Sequence, residues 1–190
     1  MRLFSGLSIP DNIAAALGSV LAELRKTAQL RWSPVKNLHI TSKFIGEWPQ
    51  ERLTELQGAL AGLEPPRPFQ VTVARFGFLP NPHRPKIFFA GVHGEAGLAQ
   101  LAERIDIALA AIGVKREDRD YTPHLTLARI RDEEIGMLRE RIAAVPVPEF
   151  GSFTVREFHL YLSKPDLSKP GPAGSVYSIL HTYPLEKAAS

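Results

Sequence analysis

Two histidines in this chain carry a threonine two positions downstream, His39-Ile40-Thr41 and His124-Leu125-Thr126, 85 positions apart and each inside a run that alternates like a strand. In a strand, residues i and i+2 face the same side, so each pair presents an imidazole and a hydroxyl together. If the two strands meet, two of each converge. Near pH 7 one neutral imidazole can take a proton while one imidazolium gives one. Threonine hydroxyls can donate to oxygens that gather negative charge. The chemistry that uses this set is the opening of a cyclic phosphodiester: a base for water, an acid for the leaving oxygen, and donors for the non-bridging oxygens. The bland alternative is a pair of buried strand histidines beside β-branched strand formers. A single His-x-Thr would be noise. The other four histidines are followed two places on by Pro85, Glu95, Tyr161 and Tyr183, so the repeat is confined to two matched contexts.

Alternation and helical spacing supply the elements that must hold these residues. Strands are expected at 2–8, 37–45, 69–78, 86–92, 124–130, 150–163 and 175–183, and helices at 11–28, 49–63, 95–112 and 132–143. Asp11 reads as the N-cap of the first helix, and Gly113 as the stop of the third. Strict alternation in 37–45 sets His39, Thr41, Lys43 and Ile45 on one face, with Leu38, Ile40, Ser42 and Phe44 on the other. On a flat strand Arg129 faces away from Thr126; a bulge would bring it back. The strands lie too close together for a regular βαβ series, which favours α+β with antiparallel sheet.

The chain of 190 residues can bury a sizeable core without staples, and having no cysteine it can form neither disulfides nor thiolate metal sites. Its net charge of +3 permits an anionic ligand without demanding one. No apolar run is long enough for a transmembrane helix, and the opening lacks a signal-peptide pattern. A cytoplasmic protein with no membrane partner is expected. Neither histidine has a carboxylate beside it and H-E-x-x-H is absent, so no metal site or other cofactor is expected.

The motifs in combination resemble the 2H phosphoesterase superfamily, specifically the RNA 2′,3′-cyclic phosphodiesterases once called 2′-5′ RNA ligases. RLFSGLSIP, RWSPVKNLHITSKFIGEW, PNPHRPKIFFAGV, YTPHLTLARI and FHLYLSKPDLSKPGPAGSVYSIL carry the likeness over nearly the whole chain. Ser42 stands where Leu is expected, and Phe89 where Trp is common. The resemblance implies one bilobal domain over 1–190, built as two pseudo-symmetric lobes of antiparallel sheet with outer helices and an active-site cleft between them. It implies hydrolysis of RNA 2′,3′-cyclic phosphate ends to 2′-phosphates, with weak reverse ligation as a side reaction. His39 would be the proton donor, His124 the proton acceptor, and Thr41 and Thr126 the phosphate contacts. The further substrate-binding candidates are Arg129, Lys43, and the aromatics Phe4 and Tyr121 as base-stacking groups. His83, Arg84 and Lys86 would form a basic rim. The expected partner is RNA with 2′,3′-cyclic phosphate ends, or a related nucleotide, met by a monomer. A non-catalytic RNA or nucleotide binder on the same fold is the alternative.

Overall fold

The computed structural model describes residues 1–94, 96–144, 148–167 and 174–186. In chain order the elements are β1 (Arg2–Ser8), α1 (Asp11–Leu24), β2 (Arg31–Trp32), β3 (His39–Glu47), α2 (Leu53–Gly62), β4 (Phe69–Leu79), β5 (Ile87–Gly94), α3 (Gly97–Ala110), β6 (His124–Arg129), α4 (Gly136–Ala143), β7 (Glu149–Val155), β8 (Glu157–Pro165) and β9 (Ser175–Pro184). Single turns of 3-10 helix at Val35–Asn37 and Gln50–Arg52 precede β3 and α2. Two expected elements therefore start later than periodicity suggested, because Pro34 and Pro49 open a tight turn first. The first helix ends at Leu24, where its apolar stripe ends. The run 150–163 divides into β7 and β8 at Arg156. Residues 168–173, part of the late segment that carries the resemblance, lie outside the described residues.

All the strands join one antiparallel α+β sheet in the order β7-β4-β5-β6-β3-β1-β8-β9, with β2 paired to β6. Along that order, four strands lie on each side of the β6/β3 seam. The two halves mirror one another: β6 with β3, β5 with β1, β4 with β8, β7 with β9. Within each half the ladders are long. Among the described residues β3 and β6 pair at one position only, Ile40 with Leu125, and both side chains are fully buried.

The helices hold the seam. α1 leaves the half that contains β1 yet packs against β7, and α3 leaves the half that contains β5 yet packs against β3. Each half thus lends a helix to the other. Ile13, Leu17, Leu21 and Leu24 of α1 and Leu98, Leu101, Ile105 and Leu109 of α3 join the sheet's apolar face in one core. Burial of each such side chain stabilises by about 1.5–3 kcal/mol. No helix among the described residues is long and apolar enough to cross a membrane.

A polar cluster lies within this layer, centred on the Asp106 carboxylate, which Arg116 also meets from the surface. Lys43 of β3 reaches Asp106 of α3 at 2.5 Å and the Lys115 carbonyl at 2.6 Å. The Lys43 and Asp106 side chains are 5% and 11% exposed. Removing one member of a buried pair strands the other charge. Asp106→Ala is expected to lose roughly 3–5 kcal/mol of stability, read as a lower denaturant midpoint. Exposed pairs such as Lys115–Asp118 are screened by water and contribute little, so Asp118→Ala should leave the midpoint nearly unchanged.

Candidate active site

His39 opens β3 and His124 opens β6, next to the seam. Continuing the Ile40–Leu125 register one residue each way sets His39 beside Thr126 and Thr41 beside His124. All four side chains take the face opposite buried Ile40 and Leu125, and all are partly accessible. The sheet therefore brings together the two imidazoles and two hydroxyls that the sequence pattern predicts.

Both rings are anchored alike. His39 Nδ1 lies 2.7 Å from the Asn37 carbonyl, and His124 Nδ1 lies 2.8 Å from the Thr122 carbonyl. A carbonyl oxygen only accepts, so Nδ1 carries a hydrogen in both rings and Nε2 is the nitrogen left to exchange a proton with a ligand. Each Nε2 can take a proton when neutral and give one when charged. Aromatic rings brace both. Phe4 lies 4.6 Å from the His39 ring and Tyr177 stands edge-on at 5.0 Å; Phe89 stands edge-on to His124 at 5.6 Å.

Close backbone approach matters at two glycines. A Cβ on Gly6, opposite Thr41, would lie 2.6 Å from the Ile40 carbonyl oxygen. One on Gly77 would strike the Phe89 ring at 2.4 Å.

Each motif ends in a β-bulge, and the bulges decide what else reaches this face. Against β1, Thr41 pairs with Gly6 and Lys43 with Ser5, leaving Ser42 without a ladder partner. Against β5, Thr126 pairs with Phe89 and Ala128 with Phe88, leaving Leu127 without one. An extra residue flips every side chain beyond it. Lys43 thus turns from the histidine face to the helical layer and spends its charge on Asp106, which corrects the strict alternation expected for 37–45. Phe44 takes its place on the histidine face, 61% exposed and 6.4 Å from Phe4. The matching bulge in β6 buries Ala128 and brings exposed Arg129 round to the same face.

Two aromatic candidates have other occupations. Phe4 is only 4% exposed and stacks on Tyr161 at 4.8 Å and 7°. Its faces are taken up beneath His39, so it supports the histidine where a base-stacking role was expected. Tyr121 donates its hydroxyl to the Thr41 carbonyl at 3.1 Å, tying the segment before β6 to β3. Burial pushes that phenol's pKa up. His83 and Arg84 are exposed, as is Lys86, with the Asn81 side chain accepting from the His83 and Arg84 amides. Strict alternation hid Phe44, since nothing in NLHITSKFI marks Ser42 as the extra residue.

The electrostatics are unequal. Burial lowers the His39 pKa below the usual histidine value. Its bond to Asn37 opposes the shift, while the positive charges of His124 and Arg129 add to it. Arg129 is therefore close enough to act on His39. One face thus carries two imidazoles, two hydroxyls and a guanidinium, the kinds of donor that charge-assisted hydrogen bonds to a small anion use.

A family model described as LigT-like phosphoesterase matches residues 7–89 and 92–171. The RNA 2′,3′-cyclic phosphodiesterase of Methanocaldococcus jannaschii is 30% identical over 181 residues, covering 95% of this chain and 98% of the relative. Among solved structures, TT0787 of Thermus thermophilus superposes with a TM-score of 0.76 at 28% identity, covering 97% of this chain and 98% of that one. Escherichia coli LigT complexed with 3′-AMP superposes with a TM-score of 0.74 at 25% identity, covering 98% of each chain.

A nearby cation disfavours the imidazolium, and a bound anion favours it. In an NMR titration His39 should protonate below about pH 6.5, the ordinary histidine value. Inorganic phosphate should raise that midpoint, and Arg129→Ala should raise it in the free protein. A His39 midpoint indifferent to both would remove the electrostatic link between the three groups.

Proposed function

The chain belongs to the LigT-like phosphoesterase family, and from that premise we propose that it hydrolyses 2′,3′-cyclic phosphates at RNA ends to 2′-phosphates without a metal. The observation that carries this reading is the matched pair of Nδ1-anchored imidazoles, each with Nε2 left free, beside Thr41, Thr126 and Arg129. The names of the relatives point to the same substrate, and the LigT complex with 3′-AMP favours a nucleotide ligand.

In the proposed reaction water attacks phosphorus in line with the P–O3′ bond. His124 Nε2 takes the water proton as the new P–O bond forms. The P–O3′ bond breaks, and His39 Nε2–H delivers its proton to O3′. The charge that builds on the non-bridging oxygens is met by the Thr41 and Thr126 hydroxyls and by Arg129. Assigning donor to His39 and acceptor to His124 follows the family resemblance; the two anchors alone would serve either direction. An RNA hydroxyl replacing water would run the same steps toward ligation, with hydrolysis dominant in water. Phe44, exposed on this face further along β3 from His39, offers its ring to the base of the reacting nucleotide, as aromatic side chains do for unpaired bases.

Burial and the charges of His124 and Arg129 disfavour the His39 imidazolium, the form that the acid role requires. The substrate phosphate, being anionic, favours that protonation. Activity should therefore follow a bell-shaped pH profile whose two limbs belong to the coupled pair.

The test is a short RNA ending in a 2′,3′-cyclic phosphate, incubated with protein in EDTA. A 2′-phosphate product is expected. His39→Ala and His124→Ala should each slow turnover by roughly 10²–10⁴-fold, the contribution of a positioned acid or base. Turnover abolished by EDTA would sink the metal-free mechanism. Nucleotide binding without turnover would leave a non-catalytic binder.

A further inference from the structure

On the far side of His39 from Phe44 lies a concavity of about 350 Å³, within the range of small-ligand sites, roughly 300–1,000 Å³. His39 forms one wall, and Tyr161, Tyr177 and Ile179 form another. Asn37 and Lys36, from the 3-10 turn before β3, close the rim. The Asn37 side chain donates to the Ser175 carbonyl at 2.6 Å, fixing that turn to β9 and holding the mouth to a set width. On the floor, Ser8 Oγ lies 3.2 Å from Nε2 of buried His159, whose Nδ1 lies 2.9 Å from Thr182 Oγ1. These groups run across β1, β8 and β9 directly behind the strand position of His39, since Ser8 pairs with His39 in the ladder.

We infer that this concavity is a second nucleoside subsite, which takes the residue upstream of the RNA end whose phosphate sits at His39 and His124. The inference rests on the RNA reading above and extends it. Along β3 Phe44 lies five residues past His39, roughly 15 Å, and across the sheet buried Phe4 stands between Phe44 and the walls at Tyr161 and Ile179 in one ladder row, so a single base does not reach both. A chain with its reacting phosphate at the histidines has one nucleoside to set against Phe44 and a second to set on the opposite side. The lining suits a base: the Tyr177 ring and the half-exposed Ile179 for its faces, and hydroxyl and amide groups of Ser8 and Asn37 for its edge. Lys36, exposed and in no ion pair among the described residues, stands where it can meet the phosphate that links the two nucleotides.

Equilibrium binding measures this without requiring turnover. Adenosine 2′-phosphate and the dinucleotide ApA carrying a 2′-phosphate would be titrated into the full chain. A stacked second base and a neutralised linking phosphate predict that the dinucleotide binds about tenfold tighter or more. Ile179→Glu and Lys36→Glu, both at the surface, should each bring the ratio of the two affinities toward one. Equal affinities in the unmodified chain, or a ratio that neither substitution changes, would overturn the subsite. A dinucleotide advantage in a protein that opens no cyclic phosphate would uphold the subsite and reject the catalytic reading. Turnover with equal affinities would do the reverse.

Discussion

Ile40 and Leu125 meet across the middle of the sheet as the one ladder pair described between β3 and β6. Both histidines and both threonines are fixed by that contact, because they are the immediate neighbours of these two residues. A seam with so little hydrogen bonding does not hold itself. It is held from behind, by helices that each half lends to the other, and from the side, by β2 on β6 and by Tyr121 on the Thr41 carbonyl. The Lys43–Asp106 pair belongs to this support, since it fastens α3 to the strand that carries His39. Its buried charges offset one another without guaranteeing net stability; what they add is a defined position for α3 on β3.

The two bulges complete the selection of side chains. They occur at the same place in each motif, one residue after the threonine, and each puts two consecutive side chains into the core: Ser42 and Lys43 in β3, Leu127 and Ala128 in β6. What reaches the histidine face beyond them differs: an aromatic ring in one half, a guanidinium in the other. A symmetric frame thus presents an asymmetric surface, with the Arg129 guanidinium on one side and the exposed Phe44 ring on the other. The repeat supplies the paired imidazoles and hydroxyls, and the residues past each bulge distinguish the two sides.

Most of the frame was legible in the sequence. Alternation located the strands, and the doubled His-x-Thr identified the residues at the seam. Alternation could not count an extra residue in a strand, so the face of Lys43 was misread and Phe44 was missed; for Arg129 only the alternative of a bulge was available. Phe4 stood as a base-stacking candidate beside a core reading, and what decides for the core are Tyr161 and Tyr177, from strands near the far end of the chain. The lowered pKa of His39 was equally out of reach, because it arises from burial and from charges that only folding brings near.

That electrostatic setting bears on how two similar histidines can serve unlike roles. Their carbonyl anchors are equivalent, so tautomer and ring orientation do not separate them. What acts on His39 is burial together with the cationic charge of His124 and Arg129. In the free protein these disfavour its imidazolium. A phosphodiester in the cleft adds a negative charge beside the same groups and offsets part of that penalty. On the proposed reading, protonation of His39 would be coupled to occupancy, its imidazolium forming most readily with the anion present. Arg129 would contribute on both sides of this exchange. It disfavours the His39 imidazolium and would give an arriving phosphate a partner, so one exposed side chain would link phosphate binding to the charge of His39.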